Sequence, residues 1–270
     1  MIDRKYIYLC GVILFLTIIK FINPPIIQKI SFINYDFYQK VFNRGEVKDV
    51  TIVDIDEKSI SKIGQFPWRR DIYSKVLKNL NQHNPKAIAF DIVFSEEDKQ
   101  NPKDLLSKLQ LESGQLIDID VIDTNKIFIN SIKNSKVILP ILGEPKDNFV
   151  KNNSKPKLRL ITKGENPKNF IYKFKNKIIS LEEISSVASG IGSISLIQGI
   201  DGVIRSVPVL YNIDDKLWPS LALETVRIAT GQKNLLVKSD KKGIELIKTK
   251  NNIIPSDRNA VINVKYNKFS

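Results

Sequence analysis

The stretch that decides the fold is VTIVDIDEKSISKIGQFPWRRDIYSKVLKNLNQHNPKAIAFDIVF, residues 50–94. Its opening is short, apolar and β-branched, which predicts a buried parallel strand ending at Asp54 and Asp56. DIYSKVLKNLNQHN then carries Ile72, Val76, Leu77 and Leu80 at helical spacing, with Asp71 placed to cap the helix. Pro85 breaks the chain, and KAIAFDIVF predicts a second buried strand that ends near Asp91. Strand, helix and strand at this spacing make a βαβ unit.

Working outward, DLLSKLQ and DTNKIFINSIKNS predict helices, and KVILPIL (136–142) predicts a third strand. In SLEEISSVAS, Ser180 and Glu183 have the spacing of a capping box. GSISLI and IDGVIRSVPVLYN read as strands, and WPSLALETVRIATG reads as an amphipathic helix closed by Gly231. The C-terminal part alternates short strands with turns. The expected class is α/β: a mainly parallel central sheet flanked by helices, preceded by a transmembrane helix and followed by short C-terminal strands.

That transmembrane helix is expected at residues 6–22, YIYLCGVILFLTIIKFI, whose only charge is Lys20. Its length meets the lower limit for a span, about 17 residues. Tyr6 and Tyr8 suit the interface, and Lys20 can snorkel outward. Arg4 and Lys5 favour a cytoplasmic N-terminus. Asn23-Pro24-Pro25 follows, without a small-residue cleavage site, so an uncleaved anchor is expected rather than a signal peptide. The expected organisation is an anchor (1–25), a helical connector (26–47) and an extracytoplasmic domain (48–270). The anchor contacts membrane lipid through residues 6–22.

Composition narrows the chemistry. The 270 residues include one cysteine, Cys10, and one histidine, His83, which excludes a disulfide framework and a Cys/His zinc cluster. The net charge is +13, and residues 145–177 hold ten basic residues against two acidic ones. This segment is expected to be a basic surface insertion in which Phe170, Tyr172 and Phe174 alternate along an edge strand. It gives one alternative function, binding of an envelope polyanion or anionic lipid. No nucleic-acid partner is expected, because the anchor places the domain outside the cytoplasm.

The matching order of four blocks carries a family resemblance. They are residues 50–98, NSKVILPI, GIDGVIRSVPVLY with WPSLALETVRIATG, and IIPSDRNAVINVKY. Together they resemble the type-two CHASE domain, the sensory extracellular module associated with cyclases and histidine kinases. The resemblance implies a bacterial inner-membrane receptor whose soluble sensor lies outside the cytoplasm. In such a receptor further membrane helices lead to an adenylate cyclase or histidine kinase. It implies a homodimer in the full receptor and an undefined small ligand or envelope signal. The residues themselves present no catalytic motif, so no cofactor and no catalysis by the sensor are expected. Members often carry an acidic residue where this chain has Gly199, and the family domain continues past INVKY, so the domain is expected to be incomplete at its C-terminal end.

The candidate site is an acidic and basic corner, serving structure or a ligand: Asp54, Asp56, Trp68, Arg69, Arg70, Asp91, Asp201 and Arg205. Asp54 and Asp56 would share one strand face. Arg69 and Arg70 would fork onto carboxylates, and Trp68 would wedge the loop. Arg205 would reach either the acidic crevice or an anionic ligand. A second alternative function is a metal-dependent phosphohydrolase built on Asp54, Asp56 and Asp91. DID resembles the nucleophile motif of haloacid-dehalogenase-like phosphatases, but it departs from that motif at Lys58.

Overall fold

A computed structural model describes residues 4–22, 24–42, 49–113, 120–145, 154–250 and 252–266. The chain divides into two compact units, residues 1–53 with 265–270, and residues 54–264.

The first unit contributes helix α1 (Arg4–Ile22) and helix α2 (Pro25–Val41). α1 is long and apolar enough to cross a membrane, with a mean hydropathy of 1.9 and none of that span buried. Pro25 opens α2, where a missing amide costs nothing and the fixed φ already suits a helix. No residue of α2 is buried, and Ile26, Ile30, Ile33 and Phe37 stand exposed along it.

The second unit begins with α3 (Glu57–Ile63), α4 (Arg70–Asn81) and strand β1 (Ile88–Ala89). α5 (Pro102–Ser113), α6 (Thr124–Lys133) and strand β2 (Val137–Glu144) follow. Next come β3 (Arg159–Gly164), β4 (Lys173–Phe174), β5 (Asn176–Ile179), α7 (Glu182–Val187) and β6 (Gly190–Ser193). β7 (Ser206–Pro208), β8 (Leu210–Ile213) and β9 (Lys216–Pro219) lead to α8 (Leu221–Ala229). The described chain closes with β10 (Asn234–Asp240), β11 (Gly243–Lys248), β12 (Ile253–Ile254) and β13 (Val261–Asn263).

The fold is α/β, but its sheets are mixed rather than mainly parallel. β2 pairs in parallel with β1 and β6 and antiparallel with β5. A second sheet runs β12-β11-β10-β3, in which only β3 lies parallel to its neighbour. β8 lies between parallel β4 and antiparallel β9, and β7 pairs antiparallel with β13. Part of the reason is local: β8 to β9, β10 to β11 and β11 to β12 connect through short turns, and short turns join antiparallel neighbours.

The expected opening strand does not form. Residues 50–56 lie outside any strand, and Val50, Ile52 and Val53 are exposed. A β-branched run has strand propensity, but a strand also needs a partner with which to share amides and carbonyls. KAIAFDIVF contributes only Ile88–Ala89 to the sheet, and the parallel crossover runs instead from β1 through α5 and α6 to β2.

Three cores hold the second unit. α4 and α6 press Tyr73, Leu77, Phe128 and Ile132 onto Val137 and Leu139 of β2. Phe90 and Phe94 complete an edge-to-face aromatic cluster, with Phe94 and Phe128 rings 4.8 Å apart. The second core packs Leu158, Ile171, Leu223, Leu235, Val237 and Ile247. The third holds Tyr211 and Trp218 against Ile141 and Ile191. Tyr211 donates its hydroxyl to the Ser195 carbonyl (2.6 Å), and burial holds that hydroxyl far above the ordinary tyrosine pKa.

In its described part, residues 154–177, the basic segment also contributes side chains to the interior. Leu158, Pro167 and Ile171 are buried, and β3 pairs with β10 along its whole length. Lys177 is itself buried and binds Asp214 at 2.9 Å beneath the Trp218 ring. Phe170 and Phe174 go to different cores while Tyr172 is exposed, so no single aromatic face forms. Residues 146–153 lie outside the described residues.

Candidate functional site

The corner is built from the loop that joins α3 to α4. Asp56 caps α3 by accepting from the Ser59 amide (2.8 Å) and hydroxyl (2.6 Å). Those two bonds hold its carboxyl below the ordinary aspartate pKa. Gly64 ends α3 with φ +111, a conformation that suits glycine. Trp68 folds back under that turn, buried, and its indole nitrogen donates to the Gly64 carbonyl at 2.7 Å.

Arg69 and Arg70 part company. Arg69 forks onto Asp71, Nε to Oδ1 at 2.6 Å and Nη2 to Oδ2 at 3.0 Å. Asp71 is therefore a first-turn partner of Arg69, and the N-cap position expected for it belongs to Arg69. The fork holds the Asp71 carboxyl below its ordinary pKa despite opposing desolvation. Arg70 turns inward and is 4% exposed. Its guanidinium lies 5.6 Å from the Phe94 ring centroid, and Nη2 donates to the Glu96 carbonyl. Nη1 is buried without a hydrogen-bond partner among the described residues. Burial pulls this guanidinium below the ordinary arginine pKa, against the charges of Asp98 and Glu183.

The residue that organises the corner is Asp98, which sequence reading did not single out. Oδ2 accepts from the Arg70 amide (3.0 Å) and the Thr124 hydroxyl (2.9 Å), and Oδ1 accepts from the Gln100 amide (3.0 Å). Buried Asn101 extends the network. Its Oδ1 accepts from the Thr124 amide, and its Nδ2 donates to Asp104 and Asp123. Asp123 caps α6 and receives Lys103 at 3.1 Å. One carboxylate thus ties the starts of α4 and α6 to the loop before α5. The signal for it was present in two helix-start patterns, Asn101-Pro102 and Asp123-Thr124. A polar cleft of about 470 Å³ adjoins the network, lined by Lys103, Asp120, Asp123, Lys126 and Asn130.

Ser180 also belongs here rather than to a helix cap. Leu181 takes the N-cap position of α7, and the Ser180 hydroxyl accepts from the Phe94 amide at 3.1 Å. Segment 94–101 is therefore held from three sides, by Ser180, Arg70 and Thr124.

The other predicted residues do not join the corner. Asp54 and Asp91 are exposed. Asp54 and Asp56 do not share a strand face, because Asp56 has entered the cap of α3. No group of three His, Cys, Asp or Glu side chains that could hold a metal ion occurs among the described residues. The phosphohydrolase alternative built on Asp54, Asp56 and Asp91 therefore has no assembled site. Asp201 and Arg205 pair with each other across their own turn, Nη1 to Oδ1 at 3.0 Å and Nη2 to Oδ2 at 2.8 Å. Gly199 permits that turn, since a Cβ there would stand 2.9 Å from Asp201 Oδ1.

A buried ion pair lies on α8. Glu224 is fully buried and receives Arg227 through Nε (2.7 Å) and Nη2 (2.6 Å). Arg227 also donates to the Gln232 carbonyl (2.7 Å), closing the helix end. Gly190 makes room for the carboxylate, as a Cβ there would come within 2.5 Å of Glu224 Oε1.

This arrangement of α4, the Asp98 corner and the mixed sheets lies within the range of a family comparison. A model of the CHASE2 domain matches residues 11–269. The chain belongs to the CHASE2 family. CHASE2 domains are extracellular sensory domains, and the match begins inside α1. Searches of curated proteins and of solved structures found no match. In this CHASE2 chain the buried carboxylates and guanidinia are tied to helix starts and main-chain groups, an arrangement suited to positioning segments.

Proposed function

We propose that this CHASE2 chain is the extracytoplasmic signal-input domain of a bacterial membrane receptor. Arg4–Ile22 holds it in the inner membrane in contact with lipid. Further membrane helices couple it, as a homodimer, to a cytoplasmic adenylate cyclase or histidine kinase. The observation that carries this reading is the family match across residues 11–269. A helix with the length and hydropathy of a span supports the topology.

In this reading the input is a small ligand or envelope state that biases two packings of the domain, because a signal shifts an equilibrium only through unequal affinity for its two states. Segment 94–101 is the element it acts on. That segment is tied to three elements, through Ser180 and Leu181, through Arg70 and through Thr124, and beside it Arg70 Nη1 has a donor to offer. The site residues thus act as a brace whose release is the signal, and the domain catalyses nothing.

Topology is the test. Alkaline phosphatase fused after residue 30 or after residue 270 should be active, while green fluorescent protein at either point should stay dark. A fluorescent fusion at residue 270 contradicts the proposal.

A further inference from the structure

One face of the sheet β12-β11-β10-β3 covers the second core, and the other is open. Along β10, Leu235, Val237 and Ser239 are buried while Asn234, Leu236 and Lys238 point outward. Register places Ile161 of β3 and Lys248 of β11 on either side of Leu236 on that outer face. Beside this row lies a cleft of about 400 Å³, whose lining includes Ile161, Leu236, Gln232, Lys233, Lys248 and Lys250.

The lining is one-sided in charge. Three lysines converge on it and no carboxylate lines it. Among the described residues Lys233, Lys248 and Lys250 have no ion-pair partner. The acid on the same face, Glu245, is occupied by Lys238 at 2.9 Å. The end of α8 does not neutralise them either. The Thr230, Gly231 and Gln232 amides satisfy the carbonyls of Val226, Ile228 and Arg227, and the Gln232 carbonyl takes the Arg227 guanidinium. The cleft therefore offers an apolar floor with a cationic rim. Its volume falls within the roughly 300–1,000 Å³ typical of small-molecule pockets.

We infer that this cleft binds a small amphipathic organic anion, its apolar body on Ile161 and Leu236 and its anionic head among Lys233, Lys248 and Lys250. The inference does not depend on the receptor topology proposed above, since it concerns the second unit alone. A neutral molecule of the same shape gains the floor but not the rim. A cation of that shape meets repulsion that weakens as salt is added.

Methyl-labelled full chain in phosphatidylcholine nanodiscs provides the experiment, with 4-tert-butylbenzoate, 4-tert-butylbenzyl alcohol and 4-tert-butylbenzylammonium as probes. The benzoate should produce saturable shifts at the Ile161 and Leu236 methyls and leave buried Ile244 and Val237 unmoved. Substituting Lys233→Gln, Lys248→Gln and Lys250→Gln together should weaken that binding about tenfold. These lysines are exposed, so unchanged Ile244 and Val237 signals will show that the variant is folded. The ammonium probe should not saturate. Absence of shifts at Ile161 and Leu236 with benzoate, equal binding of benzoate and ammonium, or undiminished benzoate binding by the triple variant overturns the inference.

Discussion

The amide of Arg70 donates to Asp98 Oδ2 over 3.0 Å, joining residues that are 28 apart in the chain. The same oxygen accepts from Thr124, so one buried carboxylate sets the relative positions of α4, α6 and the loop before α5. The Arg70 guanidinium, directed elsewhere onto Phe94 and Glu96, closes the same loop from the other end.

Asp98→Ala should destabilise the domain by about 3–5 kcal/mol, because it leaves the Arg70 amide, the Gln100 amide and the Thr124 hydroxyl without their shared buried acceptor and removes the negative charge nearest the buried Arg70. Urea denaturation monitored by Trp68 and Trp218 fluorescence measures it. A loss below about 1 kcal/mol would show that water replaces the carboxylate.

The pair Glu224 and Arg227 separates the cost of breaking a buried ion pair from the worth of having one. Glu224→Gln alone should cost about 3–5 kcal/mol, whereas Glu224→Leu with Arg227→Leu together should cost much less than the sum of the two single changes. A thermal-unfolding double-mutant cycle reads the coupling.

Acid should weaken the Arg69–Asp71 fork in a defined direction. The Asp71 carboxyl is held below its ordinary value of 3.8, chiefly by the hydrogen bond from Arg69. Its contribution is complete above about pH 3.8 and is lost as pH falls through the lower folded value. The difference in melting temperature between the native chain and Asp71→Asn should therefore be constant near neutrality and shrink below that pH.

Gly192→Ala should destabilise through overpacking. A Cβ at Gly192 would stand 2.6 Å from Leu221 Cα and 2.7 Å from the Ser220 carbonyl, backbone atoms that cannot rotate away. The expected loss is about 1–3 kcal/mol. By contrast Asp54→Asn, at an exposed position, should fall within about 0.5 kcal/mol of the native chain. Magnesium or manganese should not alter the melting temperature of either protein. Parallel melting curves check both.

Local pattern alone fixed a good deal. The helix spacing of DIYSKVLKNLNQHN, the apolar run KVILPIL (136–142) and the amphipathic helix of WPSLALETVRIATG are each decided by neighbours within about one helical turn or one strand. The apolar opening and the ordered CHASE2 blocks were legible for the same reason, since both are written in consecutive residues. The tertiary structure decided what depends on distant partners. It denied residues 50–56 a strand to pair with and turned Ser180 from a cap into an acceptor for the Phe94 amide. It also drew Leu158 and Lys177 out of a run that reads as solvated charge. Asp98 shows why: its three donors come from positions 70, 100 and 124, and no local window contains them all. Propensity chooses among conformations a few residues at a time, while burial of charge is settled only where the chain returns to itself.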